Sequence, residues 1–268
     1  ASVGGDLAVT GALDVDGATT TDGITNAGNF ETDGGTIKLD GNYPTGSDNV
    51  ALGDTALDDG SLSGGNNVAI GSAALTANTT GAGNTAIGKD ALLVNTTGAS
   101  NTAVGFKALD ANTTAGNNTA VGKNALSGNT TAANNTAVGL DALKVNTTGA
   151  SNVAIGSSAL AANTTAASNV AVGTFSLDAN TTGAGNTAVG TNSLTANTTA
   201  SNNAAFGSGA LESNTTGSEN LAVGTEALAA NTTANSNVGI GFKSLFTNTT
   251  GEQNVGVGDS ALRANTTA

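Results

Sequence analysis

From Asn67 to its end the chain repeats itself every 17 residues. One unit spans residues 84–100 and reads NTAIGKDALLVNTTGAS, and coil positions are numbered here 1 to 17 from Asn84. Position 5 is always Gly, position 9 is always Leu, and positions 12–14 are Asn-Thr-Thr. A looser 18-residue unit starts at Asn49, which gives 13 units, the last cut short at Ala268. Because a short repeat must bury its apolar side against its neighbours, this period predicts a stacked, solenoid-type fold.

The residues within one unit favour strands over helices. Gly, Asn-Thr-Thr and β-branched residues in 17 positions cannot sustain two packed helices. Short strands joined by Gly- and Asn-rich corners fit this pattern. The sequence therefore predicts an all-β parallel β-solenoid with two or three strands per coil. With neighbouring coils about 4.8 Å apart, 13 of them would form a rod roughly 60 Å long.

Side-chain size and charge predict the faces of the coil. We expect the Val, Ile or Phe at position 4 and the Leu at position 9 to fill the interior, the Asn residues to form ladders, and the Gly to take a corner with positive φ. In the stacked register Asp90 lies over Lys107 and Glu226 over Lys243, so opposite charges meet. The interior residues expected on this basis include Val104, Ile155, Phe206, Leu109, Leu160 and Leu211.

The small residues of the coil suggest how chains associate. Position 3 is Ala, or Gly in the last two units, and position 8 is restricted to small residues. A continuous stripe of such residues on a surface would allow another chain to approach closely. We therefore expect a homo-oligomer that packs through an alanine stripe represented by Ala86, Ala120, Ala137 and Ala154.

Composition excludes several functional classes. The chain has no Cys and no His, so soft-metal sites, disulfide scaffolds, a Ser-His-Asp triad and a Cys nucleophile are ruled out. A net charge of −13 with seven basic residues argues against nucleic-acid binding. No apolar run is long enough to insert in a membrane. We expect no cofactor and no enzymatic activity.

Residues 1–48 follow a different pattern. Gly recurs at 5, 11, 17 and 23, and Leu and Val alternate with polar residues between these positions. Hexads this short cannot bury their apolar face alone, so we expect a fibre shaft or assembly segment of several intertwined chains at 1–48, followed by the solenoid at 49–268.

The repeats resemble those of known fibrous proteins. The segment Asn-Val-Ala-Ile-Gly-Ser-Ser-Ala at 152–159 resembles the head repeat of trimeric autotransporter adhesins, whose heads are trimers of left-handed parallel β-rolls that bind host matrix. The combination of such coils with hexads like Leu-Ala-Val-Thr-Gly at 7–11 looks more like bacteriophage tail-fibre proteins. This resemblance implies a trimeric, extracellular or virion-borne fibre.

Several motifs are candidate sites. Phe106, Phe175, Phe242 and Phe246 interrupt small or polar variable positions, which makes them candidate surface contacts for a ligand or lateral partner. The Asn-Thr-Thr triplet fits the N-glycosylation sequon, although a recurring turn explains it as well. Its Thr columns suggest ice binding, except that adjacent residues of a strand point to opposite faces.

The acidic motifs have simpler interpretations. The Asp pairs at 14/16 and 58/59 could ligate calcium, but neither matches a known calcium-loop spacing, so solvated turns are favoured.

Taken together, the sequence predicts a non-enzymatic structural fibre for surface attachment, with a host-surface glycan or protein as partner. The alternatives are the subunit of a self-assembling extracellular filament joined end to end and, less favoured, an ice-binding solenoid.

Overall fold

The computed structural model describes residues 48–267, which form a parallel β-solenoid. The predicted shaft at 1–48 lies outside these residues, apart from Asp48. The described part contains thirteen three-residue strands and no helix. The strands are β1 (Val50–Leu52), β2 (Val68–Ile70), β3 (Thr85–Ile87), β4 (Thr102–Val104), β5 (Thr119–Val121), β6 (Thr136–Val138), β7 (Val153–Ile155), β8 (Val170–Val172), β9 (Thr187–Val189), β10 (Ala204–Phe206), β11 (Leu221–Val223), β12 (Val238–Ile240) and β13 (Val255–Val257).

All thirteen strands belong to one parallel sheet in which each strand pairs with the next along the chain. Position 3 of one coil pairs with position 3 of the following coil, as Ala120 does with Ala137. The first pair differs, because the 18-residue unit places Val50 opposite Val68. The predicted register is therefore confirmed, and identical residues stack in columns along the sheet.

Each coil contains one strand, so the prediction of two or three strands per coil is wrong. The rest of the coil is a series of turns whose backbone still bonds to the next coil. The N–H of Leu92 donates to the carbonyl of Ala108 at 3.0 Å, and that of Thr96 donates to the carbonyl of Thr113 at 2.8 Å. These segments cannot be regular strands because positions 7, 9 and 17 have positive φ in almost every coil.

The positive φ at position 9 is unusual because the residue is Leu. Leu92, Leu126 and Leu160 have φ of 51–52°, in the left-handed region where a side chain costs about 1–2 kcal/mol. This conformation turns the backbone sharply and directs the Leu side chain into the coil, where it is fully buried. The burial of a large apolar side chain, worth about 1.5–3 kcal/mol, offsets the conformational cost.

The interior of the solenoid is made of Leu, Ala and Asn columns. Leu at position 9 is fully buried from Leu75 to Leu245, and the alanines at positions 3 and 8 are buried beside it. The small residues are necessary, because there is little room across from Leu: a Cβ placed on Gly239 would approach Cγ of Leu228 to 3.1 Å. The prediction for Leu109, Leu160 and Leu211 is thus confirmed.

The position-4 residues are not in the interior, which corrects the sequence-based assignment. Ile155 is 41% exposed and Phe206 is 39% exposed, whereas Ala154 and Ala205 beside them are fully buried. Side chains alternate across a strand, so an inward position 3 forces positions 2 and 4 outward. Val104 is likewise only partly buried.

Two asparagine ladders run along the solenoid, one that begins at Asn49 and one that begins at Asn78. The side chain of Asn101, at position 1, accepts the N–H of Asn118 of the next coil at 3.0 Å and donates to the carbonyl of Ala115 at 2.9 Å. The side chain of Asn112, at position 12, donates to the same carbonyl at 3.0 Å and to Oδ1 of Asn95 at 2.9 Å. Both buried amides are therefore satisfied within the chain, as predicted.

Candidate interaction surfaces

The predicted alanine stripe does not lie on the surface. Ala86, Ala120, Ala137 and Ala154 are fully buried within the single chain, where they pack against the Leu column. They cannot contact a neighbouring molecule, so this assignment of the oligomer interface is wrong. The restriction to small residues at position 3 reflects the narrow interior of one coil.

The outer face of the sheet is apolar instead. Position 4 is aliphatic or aromatic in all thirteen strands, and position 2 is Val, Thr, Ala or Leu. Neither column contains a charged residue, and both point away from the interior. We call positions 2 and 4 of β1–β13 the outer sheet face.

The four candidate phenylalanines lie on another side of the coil, after the glycine corner. Phe106 and Phe242 share position 6, whereas Phe175 is at position 7 and Phe246 at position 10. The first three are exposed and Phe246 is partly buried. The structure therefore places them outward, but it does not gather all four into one site.

Phe242 and Phe246 form a small cluster with basic residues. The Lys243 ammonium lies 5.2 Å from the centre of each ring, and the Arg263 guanidinium lies 5.8 Å from the Phe246 ring. Lys243 also contacts Glu226 of the preceding coil at 3.2 Å, the stacked pair that the sequence predicted. The cluster offers apolar rings and fixed charges to a ligand that carries both kinds of group.

A shallow groove runs along positions 10 and 11 of four coils. Its volume is about 650 Å³, and a gap at Gly128 separates the exposed side chains of Val94 and Val145. Asp110 and Lys144 line the same groove. Sequence reasoning missed this surface, because the variable positions show no motif until stacking places them together.

Two carboxylates at position 10 are poorly solvated. Oδ1 of Asp110 and Oδ1 of Asp178 are buried and have no hydrogen-bond partner. Burial raises the pKa of both carboxyl groups above the ordinary value of 3.8, although Lys107 opposes the change at Asp110, and the backbone N–H groups of Asp178 and Ala179 oppose it at Asp178. The ionised forms are therefore less favourable in the fold than in the unfolded chain.

We expect Asp178→Asn to increase thermal stability at neutral pH and to have little effect near about pH 3. A carboxyl whose pKa is raised by folding destabilises the fold as pH rises from its ordinary value of 3.8 through its folded value. Thermal melting at both pH values tests this. Glu212→Gln, in the same column, controls for the loss of one negative charge, and a gain that is equal at both pH values would contradict the prediction.

The two threonines of the triplet differ in exposure. Thr96 is partly buried and its hydroxyl donates to the carbonyl of Thr113 at 3.1 Å, whereas Thr97 is exposed. This segment is a bend and not a strand, so the alternation expected of a strand does not apply to it. Ice binding by these columns stays a prediction.

The asparagines of the triplet are inaccessible in the folded chain. From Asn78 to Asn248 they are fully buried, and their Nδ2 atoms are engaged in the ladder. The amide nitrogen is the atom to which a glycan would be attached. In the folded solenoid these sequons are therefore inaccessible to glycosylation, and their recurrence is explained by the ladder.

The described residues contain no group of three or more Asp, Glu, His or Cys that could hold a metal ion. The second candidate calcium motif is a local turn, in which Asp59 Oδ1 accepts the N–H of Ser61 at 2.8 Å. The hydrogen bond from the Ser61 hydroxyl to the same oxygen, and then the bond from the Ser61 N–H, lower the pKa of Asp59. The first motif, at 14/16, lies outside the described residues.

Within residues 48–267 no helix is long and apolar enough to cross a membrane. Comparison with protein-family models, curated proteins and solved structures gives no match for this chain.

Proposed function

We propose that this chain is a non-enzymatic structural fibre, extracellular or virion-borne, that attaches to a surface. The observation that supports this best is that each coil combines a constant interior with a variable exterior. Interior positions repeat almost unchanged through the sheet of thirteen strands, whereas the outward positions 6, 7, 10 and 11 vary from coil to coil. A rigid scaffold that presents variable side chains suits attachment.

The stacking gives the scaffold its rigidity. From the coil that begins at Asn67 onward, each coil is joined to the next by strand pairing, by backbone bonds in the turns and by both Asn ladders. Mechanical load along the fibre would be shared by all of these bonds. Sheet hydrogen bonds lie along the stacking direction, as in other stable cross-β stacks.

The exposed aromatic positions are the proposed contacts with a host-surface glycan or protein. Phe106 and Phe242 occupy the same column, eight coils apart, and each lies beside a lysine ammonium at 5.8 and 5.2 Å. Aromatic rings provide large contact areas for sugars and proteins at a low entropic cost.

Binding to cell surfaces tests this function. We expect fluorescently labelled protein to be retained on a panel of bacterial and animal cells, and Phe106→Ser with Phe242→Ser to reduce retention at least about tenfold, as loss of an aromatic anchor does. Thr191→Ser in the same column is the control. Absence of retention on every cell type, or equal retention by both variants, would refute attachment through these residues.

Electron microscopy of the same protein distinguishes the fibre from the filament alternative. Discrete rods support an attachment fibre, whereas endless fibres support a subunit of a self-assembling filament.

A further inference from the structure

We propose that the outer sheet face is the surface through which two copies of this chain associate. This goes beyond attachment, because it assigns a partner to a face that carries none of the candidate contact residues. It also replaces the alanine stripe, which the fold buries.

The composition of position 4 indicates more than a preference for strands. Thr suits strands as well as Val and Ile do, and it occupies position 2 in five of the thirteen strands. It never occupies position 4, where every residue is Val, Ile, Leu or Phe. Exposure alone does not require this restriction, because a solvated strand position accepts Thr. Contact with an apolar surface at position 4 accounts for it, because a Thr hydroxyl buried there without a hydrogen-bond partner would cost free energy.

The size of the face is adequate for association. Thirteen strands about 4.8 Å apart and about 10 Å long give roughly 600 Å² per copy. Two such faces would bury roughly 1,200 Å², which is the lower end of the range for stable protein interfaces. No single coil could provide this area, so association depends on the whole stack.

A second copy fits this face better than an unrelated partner does. The side chains on the face recur at the coil spacing over all thirteen strands, and a partner must have the same spacing to pack against every one of them. An identical chain has that spacing because it has the same repeat. Both columns are uncharged along their full length, so the contact itself would place no like charges directly opposite each other.

The test compares molecular masses of the full chain and of two double variants by light scattering and native mass spectrometry. We expect the wild type to have twice the 25.3 kDa chain mass. Val121→Lys with Ile155→Lys, at position 4 two coils apart, should yield single chains, because like charges would be forced together. Thr148→Lys with Thr182→Lys adds the same charges at exposed position 14, and this control should keep the wild-type mass.

A milder variant distinguishes weaker association from misfolding. Val121→Thr with Ile155→Thr keeps strand-forming residues and should retain the circular dichroism spectrum while it raises the dissociation constant at least about tenfold, as hot-spot losses at interfaces do. A monomeric wild type at micromolar concentration would overturn the proposal. So would an unchanged dissociation constant in the Thr variant, or dissociation of the position-14 control alone.

Discussion

Leu160→Asp is expected to destabilise the central coils by several kcal/mol, because it places an unpaired charge in a fully buried column between Leu143 and Leu177. The backbone does not contribute to this loss. Leu160 has φ of 51°, and Asp adopts this left-handed conformation more readily than Leu does. The loss of stability in Leu160→Asp therefore measures only the cost of burying the Asp carboxylate.

Local hydrogen exchange is the appropriate measurement, since long repeat arrays need not unfold in one step. We expect lost protection in the coils on either side of residue 160 and a lower melting temperature. Leu160→Asn, which is polar but neutral, should have an intermediate effect.

Lys144→Ala is the control for this experiment. The Lys144 side chain is about half exposed and its ammonium lies 3.5 Å from Oδ1 of Asp141, so its removal should cost less than about 0.5 kcal/mol. Equal protection and melting in Leu160→Asp and Lys144→Ala would show that the Leu column is not the core.

Gly139→Ala is expected to cost at least about 3 kcal/mol, although it adds a single methyl group. Gly139 has φ of 139°, a region that residues with a side chain rarely adopt. The new Cβ would also lie 2.5 Å from the carbonyl oxygen of Gly156 in the next coil. That oxygen is backbone, so the contact can be relieved only by separating the coils.

Gly60→Ala provides the matched control. A Cβ at Gly60 meets no atom within 4 Å, and its φ is not in the glycine region. The substitution should be neutral or slightly stabilising, by up to about 1 kcal/mol, because it restricts the unfolded chain. Urea denaturation of both variants tests the pair, and a neutral Gly139→Ala would mean that the corner can open without breaking the stack.

The candidate sites could be predicted only in part. The outward placement of Phe106, Phe175 and Phe242 follows from their variable columns, and the structure has all three exposed. The groove beside Gly128 could not be predicted, because it is formed by residues of four coils that share no sequence pattern. The burial of Asp178 Oδ1 could not be predicted either, because it depends on the local path of the turn.

The sequence-based prediction fails most clearly in deciding which residues of each strand face the interior. The sequence suggests that the larger residue, Ile155, is inside and that Ala154 faces a neighbour, yet the structure has the reverse. A strand of three residues can bury either its middle residue or the two residues that flank it. A shift of one residue moves every side chain to the other face. The choice depends on how much space remains beside Leu160 and the two Asn ladders, which is a property of the closed coil.

The period, the stacking register, the buried Leu column and the Asn ladders all follow from the repeat, because identical residues 17 positions apart can satisfy one another only when they are stacked. Which face of each strand is buried, and how the turns close, depend instead on contacts between coils. The left-handed conformation of Leu160 illustrates the reason. Its local preference opposes this conformation, and only burial among neighbouring coils, which no single repeat contains, compensates for the cost.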